Sequence, residues 1–228
     1  MYKRQIFVEG ISEAILLPEI AKILDRPLEK YAVELVNVDS VAFSPFVNLF
    51  SSQNVQTCFS KVAIVTDDDR CTKKSETNYI NKDFDYDDVN SDISGKLLSG
   101  TPSERCNELE TSCRAVGINV FKATKTLEYA LCCDENNIEY FIEAIKSEYS
   151  QLGPALEQKV NSLHDMNEKA ACVWLFIRAR EKCKGAIAQY ISQIIKKQCE
   201  MRKRGENIEK EFVIPDYLKE AVYCVTER

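Results

Sequence analysis

Val62-Ala63-Ile64-Val65 runs directly into Thr66-Asp67-Asp68-Asp69, and this junction constrains the chain more than any other stretch. Val62, Ile64 and Val65 are β-branched, which suits a pleated strand, and the absence of polar residues suits a strand covered on both faces. Such a strand belongs inside a mainly parallel sheet with helices packed above and below it. The aspartates then fall at its carboxyl end, the edge beyond which open α/β sheets bind their ligands.

The remaining segments supply such a sheet. Ile6-Phe7-Val8 ends at Glu9-Gly10 and reads as a strand and turn, Val33 to Val38 as a second strand, and Ile118-Asn119-Val120-Phe121 as a fourth. Between them, Ser12 is placed to cap a helix whose apolar residues Ile15, Leu16, Ile20, Ile23 and Leu24 recur at helical spacing. Phe43 to Phe50 predicts a short helix, and Ser103 to Val116 a longer one stopped by Gly117. Thr126 caps a helical stretch through Cys133, while the polar, acidic residues 70 to 100 read as a long loop or insertion. From Asn137 onward the pattern is helical throughout, at roughly 138–150, 154–163, 167–182, 184–203 and 215–223, with Pro215 near the last helix's first turn. The expectation is an α/β part, residues 1–135, followed by a helical extension, residues 136–228, packed on it.

With 228 residues and 45% hydrophobic content the chain can bury a substantial core. No apolar run approaches the roughly 20 residues that span a bilayer, and the N-terminal residues lack a secretory apolar region, so a soluble cytoplasmic protein is the default. The ten cysteines include no Cys-x-x-Cys, so they read as reduced thiols in apolar surroundings rather than zinc ligands. His164, the only histidine, reads as a solvated loop residue, which argues against histidine-dependent catalysis. The net charge of −6 conceals segregation. Lys169 to Arg204 holds ten basic residues and two acids, whereas Asp67 to Asp92 holds nine acids and four bases. The basic stretch, with Arg178, Arg180, Lys182 and Lys184, is either a nucleic-acid-binding surface or a solvated helix face.

Glu9 after strand one and Asp67 and Asp69 after strand three fall on one edge of the sheet. The i, i+2 spacing turns Asp67 and Asp69 to one side and Asp68 away. Glu13 lies one helical turn beyond Glu9, and Glu128 follows strand four. Five carboxylates without histidine or cysteine make a hard oxygen site suited to Mg²⁺ or Mn²⁺, and bound cations remove the repulsion among them.

Val8-Glu9-Gly10, Ser12-Glu13, Leu16-Leu17-Pro18 and Ile64-Val65-Thr66-Asp67-Asp68-Asp69 together resemble the Toprim domain, with its glutamate after the first strand and Asp-x-Asp after the third. Thr126-Leu127-Glu128-Tyr129, Lys184-Gly185-Ala186-Ile187-Ala188-Gln189 and Ile214-Pro215-Asp216-Tyr217-Leu218 extend the resemblance to the OLD (overcoming lysogenisation defect) family of ATP-dependent nucleases. The resemblance implies a Toprim-like fold and a two-metal DNA endonuclease. Glu9, Glu13, Asp67, Asp69 and Glu128 would take its metal-binding positions, and Glu9, Asp67, Asp69 and Lys184 its catalytic ones. Asp68 stands where many relatives have a small residue, often glycine, and adds a charge near the site.

Members of that family carry an ATPase domain before the Toprim domain. No Gly-x-x-x-x-Gly-Lys-Ser/Thr occurs here, so no ATP site is expected in this chain. The resemblance implies that the chain is the C-terminal piece of a longer protein, or that the ATPase is a separate chain. It also implies a role in phage defence, and a two-strand cutter is compatible with a homo-oligomer. A phospho-receiver would pair its acids after strand one, and a haloacid-dehalogenase-like phosphatase would place Asp-x-Asp there; neither matches. The remaining alternatives are RNA cleavage and a non-cleaving Toprim module that binds nucleic acid or serves assembly.

Overall fold

The computed structural model describes residues 3–50, 59–70 and 84–227. Four strands, β1 (Lys3–Val8), β2 (Val33–Asn37), β3 (Phe59–Asp67) and β4 (Asn119–Ala123), form one parallel sheet in the order β2-β1-β3-β4. Helix α1 (Ile11–Ile23) follows β1, α2 (Ser44–Leu49) follows β2, and α3 (Ser91–Ser99) and α4 (Glu104–Ala115) lie between β3 and β4. After β4 come α5 (Leu127–Cys132), α6 (Glu135–Glu148), α7 (Leu152–Ser162), α8 (Met166–Ala179), α9 (Lys184–Arg204) and α10 (Asp216–Thr226). Among the described residues no helix is long and apolar enough to cross a membrane.

Strand alternation explains why both faces are covered. Ile6 and Val8 of β1 point with Ala63 and Val65 of β3 into the larger core, shared with Leu16, Leu17 and Ile20 of α1, Ile187 and Ile191 of α9, and Leu218 and Val222 of α10. Phe7, Val62 and Ile64 point the other way, onto Phe43, Val47 and Phe50 around α2 and Leu109 and Cys113 of α4. The larger core runs without a break from the sheet into the helices beyond residue 135. Helix α10 packs across β1, β3 and β4, and Arg4 of β1 donates to the Val225 and Thr226 carbonyls at its end, at 3.0 and 3.3 Å. Those carbonyls lack helical partners, so the arginine satisfies them and ties the last helix to the central strand.

Two details differ from the sequence reading. Ser12 caps nothing: α1 starts after Gly10, and the buried Ser12 hydroxyl donates to Glu128 instead. Part of the stretch read as a loop is helix α3, capped by Asn90, whose side chain accepts from the Ile93 amide at 3.0 Å. Residues 71–83 of that stretch lie outside the described residues, as do Cys58 and Cys71. The other eight cysteines are free thiols, six of them buried, and His164 is exposed between α7 and α8.

Candidate active site

Every acidic residue singled out from the sequence reaches the carboxyl-terminal edge of the sheet. Glu9 directly follows β1, and its Oε2 accepts from the Thr66 hydroxyl at 2.6 Å and the Asp67 amide at 3.4 Å. The adjacent pairing of β1 with β3 makes this contact across neighbouring strand ends. Asp67, the last residue of β3, accepts through Oδ1 from the Leu127 amide at 2.9 Å, which draws the start of α5 over the edge. Glu128, one residue on and buried, accepts from the Ser12 hydroxyl at 3.3 Å and the Thr126 hydroxyl at 3.0 Å. Glu13 is buried on α1 one turn beyond Glu9.

The electrostatics show how closely these groups crowd. The Glu13 carboxyl is pushed up to about 7, first by burial and then by Glu128 and Glu9. Asp67 is raised well above the usual carboxylate range, again first by burial and then by Glu13, Glu128, Glu9 and Asp69. Both shifts describe carboxylates with more negative neighbours than cations to balance them.

Two of the protein's own cations offset part of that charge. Lys184, the first residue of α9, lies 3.8 Å from Glu128. Arg105 lies 2.5 Å from Asp69 and 3.9 Å from Glu9, and also donates to the Asp67 carbonyl at 3.3 Å. Among the described residues no three acidic, histidine or cysteine side chains are gathered around a single point as an ion would require. Arg105 accounts for part of this, because its guanidinium stands between Asp69 and Glu9. The donor set itself suits a hard divalent cation: it is all oxygen, several of its members are buried, and it carries an excess of negative charge.

Asp68 has a different fate. It is buried and turned away from the cluster, where its carboxylate accepts from the Arg70 guanidinium at 2.5 and 2.8 Å, the Arg70 amide at 3.1 Å and the Lys125 amide at 2.9 Å. Its additional charge is therefore neutralised by Arg70. Of Arg178, Arg180, Lys182 and Lys184, Lys184 is the one seen among the described residues to reach the carboxylates. Arg180 lies 3.5 Å from Asp85 with its guanidinium 3.9 Å from the Phe176 ring centre, and Arg178 lies 5.1 Å from the Trp174 ring centre. Arg178, Arg180 and Lys182 line a cleft of roughly 600 Å³ together with Phe84, Tyr149 and Leu175.

Thr66, Arg105 and Tyr217 were not singled out by sequence. Tyr217 of α10 has a buried hydroxyl with no hydrogen-bond partner among the described residues, and its phenol is pushed up first by burial and then by Asp67, Glu13 and Glu128. It therefore lies beside the acidic cluster. A signal for Arg105 was present: a cation in the first turn of α4 opposes the helix dipole and calls for a compensating acid.

Residues 2–69 match the family described as overcoming lysogenization defect protein-like, TOPRIM domain. Over those residues the chain is similar to an OLD-like Toprim domain. Across its length the fold is that of the C-terminal region of the Xanthomonas campestris pv. campestris OLD protein, at a TM-score of 0.59 and 20% identity, covering 100% of this chain and 95% of that one. The C-terminal region of the Burkholderia pseudomallei OLD protein gives a TM-score of 0.55 at 18% identity, covering 99% of this chain and 97% of that one. No curated protein sequence matches the chain.

Proposed function

We propose that the chain is a divalent-metal-dependent DNA endonuclease module that hydrolyses phosphodiester bonds at the carboxylate edge. The observation that carries this reading is the crowding of Asp67 among Glu9, Glu13, Asp69 and Glu128 with too few cations nearby. Those five residues would hold Mg²⁺ or Mn²⁺, two ions being the number that the family resemblance implies. Bound there, the metal would polarise a phosphate, lower the pKa of water and offset charge on the leaving oxygen.

The protein's own groups have definable tasks. The Thr66 hydroxyl, the Leu127 amide and the Ser12 and Thr126 hydroxyls fix the directions in which Glu9, Asp67 and Glu128 present their oxygens. Lys184 places positive charge beside Glu128, where it would stabilise negative charge developing on the reacting phosphate. Arg178, Arg180 and Lys182 would take backbone phosphates farther along the strand, giving affinity without sequence preference. We assign residues 1–135 to the catalytic part and 136–228 to the helical part that supplies Lys184. The partner this reading implies is an ATPase domain, upstream in a longer protein or on a separate chain.

The test is nicking of supercoiled plasmid by purified protein with Mn²⁺ or Mg²⁺, beside Asp67→Ala. Metal-dependent nicking that the variant loses is expected; equal nicking by the variant would sink the assignment. Metal binding with no DNA cleavage would leave a non-cleaving nucleic-acid-binding module, and a parallel RNA substrate identifies the polymer.

A further inference from the structure

Arg105 differs from the other basic residues near the edge in spanning two of the proposed ligand carboxylates, Asp69 at 2.5 Å and Glu9 at 3.9 Å. Both contacts come from one nitrogen, Nη2, which also reaches the Asp67 carbonyl. The other terminal nitrogen, Nη1, is buried and has no hydrogen-bond partner among the described residues. Guanidinium groups carry their donors in a planar fork, and a buried unfilled donor is costly, so half of this fork is poorly satisfied. Its backbone position adds to the tension, since a cation in the first turn of α4 faces the positive end of the helix. The contacts with Asp69 and Glu9 therefore hold the side chain where it is. Arg105 also lines a cleft of roughly 890 Å³, walled by Val41, Phe43, Ser44, Thr101 and Pro102.

We infer that Arg105 is an exchangeable counter-ion: it occupies Asp69 and Glu9 in the metal-free protein, yields them to a divalent ion, and then turns its guanidinium to a phosphate of the DNA strand lying in the adjoining cleft. The inference rests on the metal-dependent reading proposed above. The exchange replaces one positive charge with two at the most acidic point of the molecule, so the ion outcompetes the arginine. The released fork matches two oxygens of a phosphate, which fills the donor that now lacks a partner. In this arrangement the protein tolerates its acidic cluster without metal, and metal loading itself exposes a phosphate-binding group.

The two halves predict opposite signs for one substitution. Removing the charge with Arg105→Gln removes the competitor, so calorimetric titration with Mn²⁺ alone gives binding tighter by roughly fivefold or more. With Mn²⁺ saturating, the same variant binds a fluorescent oligonucleotide duplex more weakly, and its log-affinity against log-salt slope is shallower by about 1, the value of one lost phosphate contact. Arg105→Lys keeps the competing charge without the fork; its Mn²⁺ affinity stays near wild type while DNA affinity falls. It carries the test alone if Arg105→Gln does not fold.

Unchanged or weaker Mn²⁺ binding by Arg105→Gln would show that Arg105 only braces Asp69, and an unchanged salt slope would remove the phosphate contact. Either result overturns the inference. Should the wild-type chain bind no Mn²⁺ at all, the metal-dependent reading fails first, and that outcome differs from wild-type binding that Arg105→Gln leaves unaltered.

Discussion

Asp67 and Asp68 are neighbours in sequence and opposites in environment. Asp68 is buried and fully engaged, with the Arg70 guanidinium and two backbone amides on its oxygens. Among the described residues Asp67 has a single amide donor on one oxygen, and four other carboxylates raise its pKa. A buried carboxylate supplied with local donors is part of the architecture, here locking the loop after β3 to Lys125 after β4. A carboxylate left among its own kind opposes folding of the metal-free chain, and its retention makes sense when a ligand supplies the missing charge. The alternation of a strand leaving the sheet separates the two roles by a single residue.

The comparison is broken most strongly at Asp68. Asp68→Ala removes the carboxylate partner of the Arg70 guanidinium, which keeps its bond to the Leu98 carbonyl, and removes the acceptor of the Lys125 amide. Loss of a buried hydrogen-bonded partner of this kind destabilises by about 1–3 kcal/mol. Chemical denaturation is expected to show that loss, while the protein still folded at low denaturant binds Mn²⁺ as the wild type does. A variant of unchanged stability would mean that Asp68 is not the structural member of the pair.

Asp67→Asn shifts stability the other way. The amide keeps an oxygen for the Leu127 amide and removes one like charge from the cluster. Metal-free stability at neutral pH is expected to rise, because burial and the neighbouring carboxylates make the folded state penalise the ionised form of Asp67. The rise in Tm that Mn²⁺ gives the wild type disappears in the variant. Destabilisation of the metal-free protein would mean that Asp67 is structural too.

How much of this could be read from sequence follows the range of the interactions. The strands were legible because each is a short apolar run, and Glu9, Asp67 and Glu128 because each comes shortly after such a run. Helix α3 was not: only Ile93, Ser94 and Leu97 are buried in it, and its acidic surroundings hide that spacing. Lys184 was identified only through family resemblance, since nothing local distinguishes the first lysine of α9 from those after it. Arg105 meets Asp69 across 36 positions and Ser12 meets Glu128 across 116, so their partnerships belong to the fold. Asp68 is different: its spacing predicted that it points away, and its counter-ion Arg70 lies only two positions on, yet which charge would pair with it was not read from the sequence.

Tyr217 supplies the finest version of the contrast, because Tyr129 is its control. Both hydroxyls are buried without a partner among the described residues. The acids near Tyr217 are Asp67, Glu13 and Glu128, whereas Tyr129 is influenced mainly by burial, Cys133 and Asp165. Removing an unsatisfied buried hydroxyl relieves its desolvation, so Tyr217→Phe and Tyr129→Phe should each raise metal-free stability, by up to about 1 kcal/mol. They should part company when Mn²⁺ is added. A phenol beside the cluster can donate to a carboxylate once an ion has redistributed the negative charge, and losing such an outer partner weakens metal affinity by roughly tenfold. Calorimetry on the two variants is therefore expected to show weaker Mn²⁺ binding for Tyr217→Phe alone. Equal affinities would make the Tyr217 hydroxyl a packing defect like that of Tyr129, and would confine the ligand-directed chemistry of this edge to the carboxylates and their direct hydrogen-bond donors.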